Sequence, residues 1–144
     1  MTLKLSATEV TEFLSQVFPQ VKNDFTIEAL EEMRSTVRLN VGDRHLRPGG
    51  TVSGPAIFAL ADVAFYITLL GMIGREALTV TTNCAIDFMR KPAANTDLIA
   101  ESRVLKLGRS LAVGDVLIFS DGMTEPVARA SLTYAIPPVR TSQP

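Results

Sequence analysis

The stretch from Gly54 to Gly74 is apolar almost throughout, and Asp62 is its one charged residue. Its length approaches the roughly 20 residues that cross a bilayer. A charge near the middle of such a span costs at least ~2.5 kcal/mol. The flanks carry no aromatic belt, and strand-like sequence starts directly after Gly74. The segment therefore reads as a core helix of a soluble chain over about 54–74, apolar on every side across Ala56–Ile73. Such a helix must be surrounded by protein. The rest of the chain has to wrap it, and any face left bare calls for a second subunit.

The flanking sequence supplies a wrapper. Ser6-Ala7-Thr8-Glu9 is a capping box, and Val10, Phe13, Leu14, Val17 and Phe18 follow at helical spacing. A first helix over about 7–18 is expected, ended by Pro19. Phe25–Glu31 and Ser35–Val41 read as strands, and Gly42–Gly50 as a loop. Ser53 caps the core helix, with Gly54-Pro55 in its first turn. No further helix pattern follows. In Ala77–Arg90, Leu78, Val80, Cys84, Ile86 and Phe88 alternate onto one face. Asp97–Leu107 and Ser110–Ser120 are joined at Gly108-Arg109, and Asp121-Gly122 turns the chain into a last strand. That strand buries Ala128, Ala130, Leu132, Tyr134 and Ile136, and 139–144 is a loose tail. The order α-β-β-α-β-β-β-β is an α+β arrangement, an antiparallel sheet folded around one long helix.

Composition narrows the function. The 144 residues fit one domain, 1–144, and a hydrophobic fraction of 47% supplies a core. A net charge of -1 lacks the basic excess that nucleic-acid binding needs. Cys84 and His45 are each the sole residue of their type, which excludes an internal disulfide and thiolate or histidine-rich metal sites. The N-terminal stretch carries no apolar block of the secretory kind. A cytoplasmic protein without metal, nucleic acid or membrane partner is expected.

Asp62 is the sharpest chemical feature. Phe58, Ala59, Phe65 and Tyr66, three and four residues away on the helix, offer no cation. A buried carboxylate without a partner is costly, so it marks a functional site or meets an arginine from a distant strand. The second feature is the glycine-rich run Gly49–Pro55. It leads into a helix N-terminus whose unpaired N–H groups suit an oxyanion. Gly54 and Asp62 lie roughly 12 Å apart along the axis. A reacting carbonyl needs both within roughly 3–3.5 Å. If both are catalytic, they come from two subunits. A serine–histidine–acid set is excluded by the lone His45 in a loop. Cys84 belongs with the core. Arg90, Lys91, Arg109 and Ser110 are candidates for phosphate contacts. Phe58, Phe65, Tyr66, Leu69 and Met72 line an apolar tunnel or fill the core.

The run from Gly50 through Ser53-Gly54 to Ala59-Leu60-Ala61-Asp62 resembles the phenylacetate-degradation (PaaI-like) branch of the hotdog thioesterases. So do Thr81–Ala93, Gly108-Arg109-Ser110, Asp121-Gly122 and Val127–Thr133. The resemblance spans about Phe25–Ile136. It implies a hotdog fold, hydrolysis of acyl-CoA without a cofactor, and a site between subunits of a homodimer or homotetramer. It also implies roles: Asp62 as general base or nucleophile, Gly54 as the amide on the thioester carbonyl, Thr81 as the hydroxyl beside the carboxylate. Two positions depart from the branch. Ser53 replaces a histidine, and Arg47 replaces an asparagine six residues before it. Arg47 then either pairs with the Asp62 of a second subunit or contacts substrate, as Ser53 could. A non-catalytic acyl-CoA or hydrophobic-ligand binder is the alternative reading. A hydratase ranks last because Ser53 stands where its histidine would be.

Overall fold

The computed structural model describes residues 2–19 and 23–138. Helix α1 spans Ala7–Val17 and α2 spans Gly54–Ile73. Six strands follow in chain order: β1 (Phe25–Glu31), β2 (Arg34–Leu39), β3 (Val80–Phe88), β4 (Leu98–Leu107), β5 (Leu111–Ser120) and β6 (Pro126–Ala135). They form one antiparallel sheet in the order β1-β2-β4-β5-β6-β3, so β3 lies at an edge. The sheet curves around α2. Leu60, Phe65, Ile67, Leu69 and Leu70 of the helix meet Val37, Leu39, Leu98, Val116, Ile118 and Leu132 of the strands in a solvent-free core. This is the α+β hotdog arrangement.

Local chemistry sets the ends. Ser6 and Glu9 close the expected capping box. Ser53 Oγ accepts from the Ala56 N–H at 3.3 Å, capping α2 above a proline in its first turn. Val41 was expected to end β2, but the chain leaves the sheet at Leu39. The Val41 N–H bonds Asp97 Oδ1 instead. The loop before α2 holds a short 3-10 turn, Asp43–His45. The expected loose tail, 139–144, lies outside the described residues.

The cover over α2 differs from expectation. The second half of the helix, from Val63 to Met72, is buried by this chain itself. The N-terminal segment supplies part of the lid: the Lys4 N–H donates to the Gly71 carbonyl at 2.7 Å, and Leu5 is buried. Leu3 and Leu30 stand so close to Gly71 that an added Cβ would meet them at 3.2 and 3.0 Å. What stays uncovered is one stripe of the first half, Pro55, Phe58, Ala59 and Asp62, at helical spacing.

The alternation in β3 is also broken. Thr81 pairs with Tyr134 of β6 and Asn83 with Thr133, so Thr82 is an extra residue in a β-bulge. A bulge reverses which side chains face inward. Cys84 and Ile86 point to the helix as expected, opposite Leu132 and Ala130, whereas Phe88, expected on the same face, is 54% exposed at the strand end. Before the bulge the phase flips. Val80, expected inside, is 53% exposed, and Thr81 turns toward α2. Leu78, also expected inside, lies in the turn before the strand and is 72% exposed.

Candidate active site

Asp62 sits at the edge of the bare stripe of α2, half-buried, and two hydroxyls hold it. Thr81 Oγ1 donates to Asp62 Oδ1 at 2.6 Å. The Tyr134 hydroxyl donates to the same oxygen at 2.6 Å and lies 3.0 Å from the Asp62 backbone carbonyl. Oδ2 receives neither of these bonds. Among the described residues, no arginine takes the place that the alternative reading gave it. Two neutral donors from neighbouring strands answer the carboxylate instead. Charge-assisted bonds of this length are strong.

The Tyr134 ring is buried, stacked on Tyr66 at 6.2 Å and tilted against Phe65 at 5.4 Å. Burial, then the Asp62 charge and the bond to it, push the Tyr134 hydroxyl well above the usual phenol range. It therefore keeps its proton and acts as a donor. Burial also raises the Cys84 thiol, helped by the Asp62 charge, so it stays protonated. Asp62 opens into a cavity of about 500 Å³ lined by Val17, Phe18, Val63, Tyr66, Val80 and Thr81, among others. Apolar walls around a few convergent polar groups are the usual form of a ligand site.

Gly54 faces a different cavity, about 520 Å³, which it shares with Arg47, Ile57, Phe88, Arg90 and Lys91. The first-turn N–H groups of a helix lack partners within it. Ser53 takes the one from Ala56, so its hydroxyl serves as a cap. Thus one chain brings Asp62 and Thr81 together at one end of β3, and Gly54 with three cations at the other. Arg109 and Ser110 line neither cavity. They form an exposed hairpin tip beside Leu111, whose partner in β6, Ala135, also pairs with Val80. This is the Asp62 end of the sheet, away from Arg90 and Lys91.

His45 is buried rather than loose. Its Nδ1 accepts from the Gly42 N–H at 2.8 Å, and its Nε2 lies 3.5 Å from Asp24. Burial and then the Arg44 charge lower its pKa, so it is a neutral loop brace. Of the five candidate tunnel residues, Phe65, Leu69 and Met72 are core, Tyr66 walls the Asp62 cavity, and Phe58 is exposed on the bare stripe.

Sequence reasoning placed Tyr134 in the core and did not connect it to Asp62. A signal existed: a buried tyrosine hydroxyl needs an acceptor. Val17 and Phe18 were likewise read only as the apolar face of α1.

The thioesterase superfamily profile matches residues 49–127, a segment that holds Gly54, Asp62 and Thr81 but not Tyr134. A candidate thioesterase of Silicibacter sp. TM1040 is 56% identical, with 96% of each chain covered and a TM-score of 0.90. A point mutant of the phenylacetic acid degradation protein PaaI from Thermus thermophilus is 25% identical. That match covers 83% of this chain and 99% of that one, at a TM-score of 0.70. A Streptococcus mutans UA159 protein bound to acetyl-CoA is 24% identical, over 83% and 93% of the two chains, at a TM-score of 0.71. With a profile match across more than half the chain, and with its helices and sheet arranged as in these solved structures, this protein belongs to the thioesterase superfamily.

Proposed function

We propose that the protein hydrolyses acyl-CoA thioesters at sites shared between two copies of the chain. The observation that carries this reading is the Asp62 carboxylate, held on one oxygen by Thr81 and Tyr134 and open to an apolar cavity. As a base, Asp62 takes a proton from water while the water oxygen bonds to the thioester carbon. The tetrahedral intermediate then expels the CoA sulfur, which takes up that proton. As a nucleophile, Asp62 bonds to the carbon directly and the C–S bond breaks, expelling the CoA thiolate and leaving a mixed anhydride. Water then cleaves the anhydride, freeing the acid and the Asp62 carboxylate and giving up a proton to the thiolate. In both routes negative charge grows on the carbonyl oxygen, and the Gly54 N–H of a second copy meets it. The apolar cavity takes the acyl group. Arg47, Arg90 and Lys91 beside Gly54 take CoA phosphates. The acetyl-CoA on the Streptococcus mutans neighbour supports that choice of thiol.

The separation of the two cavities and the bare stripe support a shared site. Phe58 is 38% exposed beside Asp62, and Val80 and Phe88 are exposed along the edge strand β3. Pairing two copies antiparallel along this strip covers it and sets each Asp62 toward the other's Gly54. Light scattering at micromolar concentration is expected to find a dimer or a multiple of one. A stable, active monomer would rule out the shared site.

The thiol half of the substrate has its own test. Charge-neutral replacement, Arg90→Gln with Lys91→Gln, should raise KM for acyl-CoA about 10-fold or more, since each charge-assisted bond is worth about 1.5–3 kcal/mol. The same acyl group on N-acetylcysteamine, which has no phosphates, should show no change. Equal effects on both substrates would mean that the phosphates bind elsewhere.

A further inference from the structure

Resting on the Asp62 reading above, we infer that Tyr134 is a positioning residue that assigns Oδ2 of Asp62 as the reacting atom. The phenol has one proton, and Asp62 offers it two acceptors. The Asp62 backbone carbonyl is 3.0 Å away and already lies within the hydrogen-bond ladder of α2. The carboxylate oxygen Oδ1 is nearer, at 2.6 Å, and is the stronger acceptor. The proton therefore goes to Oδ1. Thr81 reaches the same oxygen from the adjacent strand, where it is the register partner of Tyr134. Two donors converging on Oδ1 fix the carboxylate's rotation and leave Oδ2 to face water or substrate.

The two donors are unequal. Thr81 stands on the edge strand, next to the bulge at Thr82. Tyr134 stands on β6, hydrogen-bonded on both sides by β5 and β3. Its ring is clamped by Phe65 and Tyr66 of the same helix that carries Asp62. Helix, ring and carboxylate form a closed loop of contacts, which holds the hydroxyl against Asp62. Tyr134 is the rigid reference and Thr81 the second hand. Catalytic groups need this kind of support, because small misplacements cost rate.

Tyr134→Phe removes the hydroxyl and keeps the ring contacts. In a protein that hydrolyses acyl-CoA, the variant should lose roughly 10- to 100-fold in kcat, the worth of one hydrogen bond to a charged group. KM should stay within about twofold, and a crystal structure should show the Asp62 carboxylate turned or split between orientations. An unchanged kcat, or a loss carried in KM alone, overturns the positioning role while leaving acyl-CoA hydrolysis intact. If the wild type turns over no acyl-CoA, the hydrolase reading fails by itself, and the crystal structure decides the present inference. An Asp62 carboxylate in its original orientation in Tyr134→Phe overturns it. A displaced one supports it.

Discussion

Asp62→Asn is expected to reduce kcat for acyl-CoA by roughly 10²–10⁴-fold, the usual loss when one essential acid–base group is removed. The replacement is nearly isosteric. Its amide oxygen can still accept from Thr81 and Tyr134, so the packing around it is kept. What disappears is the ability to take a proton or to attack carbon, and the loss follows for either role of the carboxylate. Single-turnover rates at saturating substrate isolate this step from binding. The thermal midpoint should move by only a few degrees. A folded Asp62→Asn protein with wild-type single-turnover rates would remove Asp62 from the chemistry.

The second large effect is on stability and comes from a glycine that lines neither the Asp62 cavity nor the Gly54 cavity. Gly114 is buried in β5 opposite Val104 of β4. A Cβ there would lie 2.2 Å from the Arg103 carbonyl oxygen and 2.3 Å from Cε1 of Phe65. The first contact is with backbone, so no rotamer change relieves it. The strands must part or the helix must lift. Overpacking of a rigid core typically costs about 1–3 kcal/mol, and a clash on two sides should reach about 3 kcal/mol or more. For a chain of this size that lowers the unfolding midpoint by roughly 10 °C. Gly114→Ala should therefore unfold far earlier than wild type at the same subunit concentration, a condition that matters for an oligomer. It should also lower kcat, because displaced Phe65 is the ring that packs on Tyr134. A midpoint within roughly 2 °C of wild type would show that the sheet yields at this point.

Gly114 also illustrates what a linear reading misses. Its role depends on Phe65, distant in sequence, and nothing local marks it. The same holds for Tyr134, 72 residues from Asp62. The strand pattern correctly buried the ring, but alternation reports a face and not a neighbour. Thr81 came from the family resemblance, whereas the β3 pattern alone pointed it outward. The bulge at Thr82 reversed that phase through pairing with β6, a non-local contact that periodicity cannot express. Arg109 and Ser110 were grouped with Arg90 and Lys91 as basic residues near strand ends. The topology puts the two pairs at opposite ends of the sheet.

The elements themselves were legible, because their causes are local. Ser6 with Glu9 and Ser53 with Gly54-Pro55 act within a few residues of where they stand, as does the turn after Leu107, which runs one residue longer than expected, from Gly108 to Ser110. The unbroken apolarity of Ala56–Ile73 dictated a surrounded helix, and Asp62 within it marked the place to look. Which surfaces do the surrounding was a tertiary matter. Among the described residues, the N-terminal segment and Leu30 of β1 together cover the far half of α2, and the stripe through Asp62 stays bare. Hydrophobic burial is non-directional, so an all-apolar helix states that it must be covered but not by what. Hydrogen bonds are directional, and the two hydroxyls that hold Asp62 Oδ1 exist only once β3, β6 and α2 have come together.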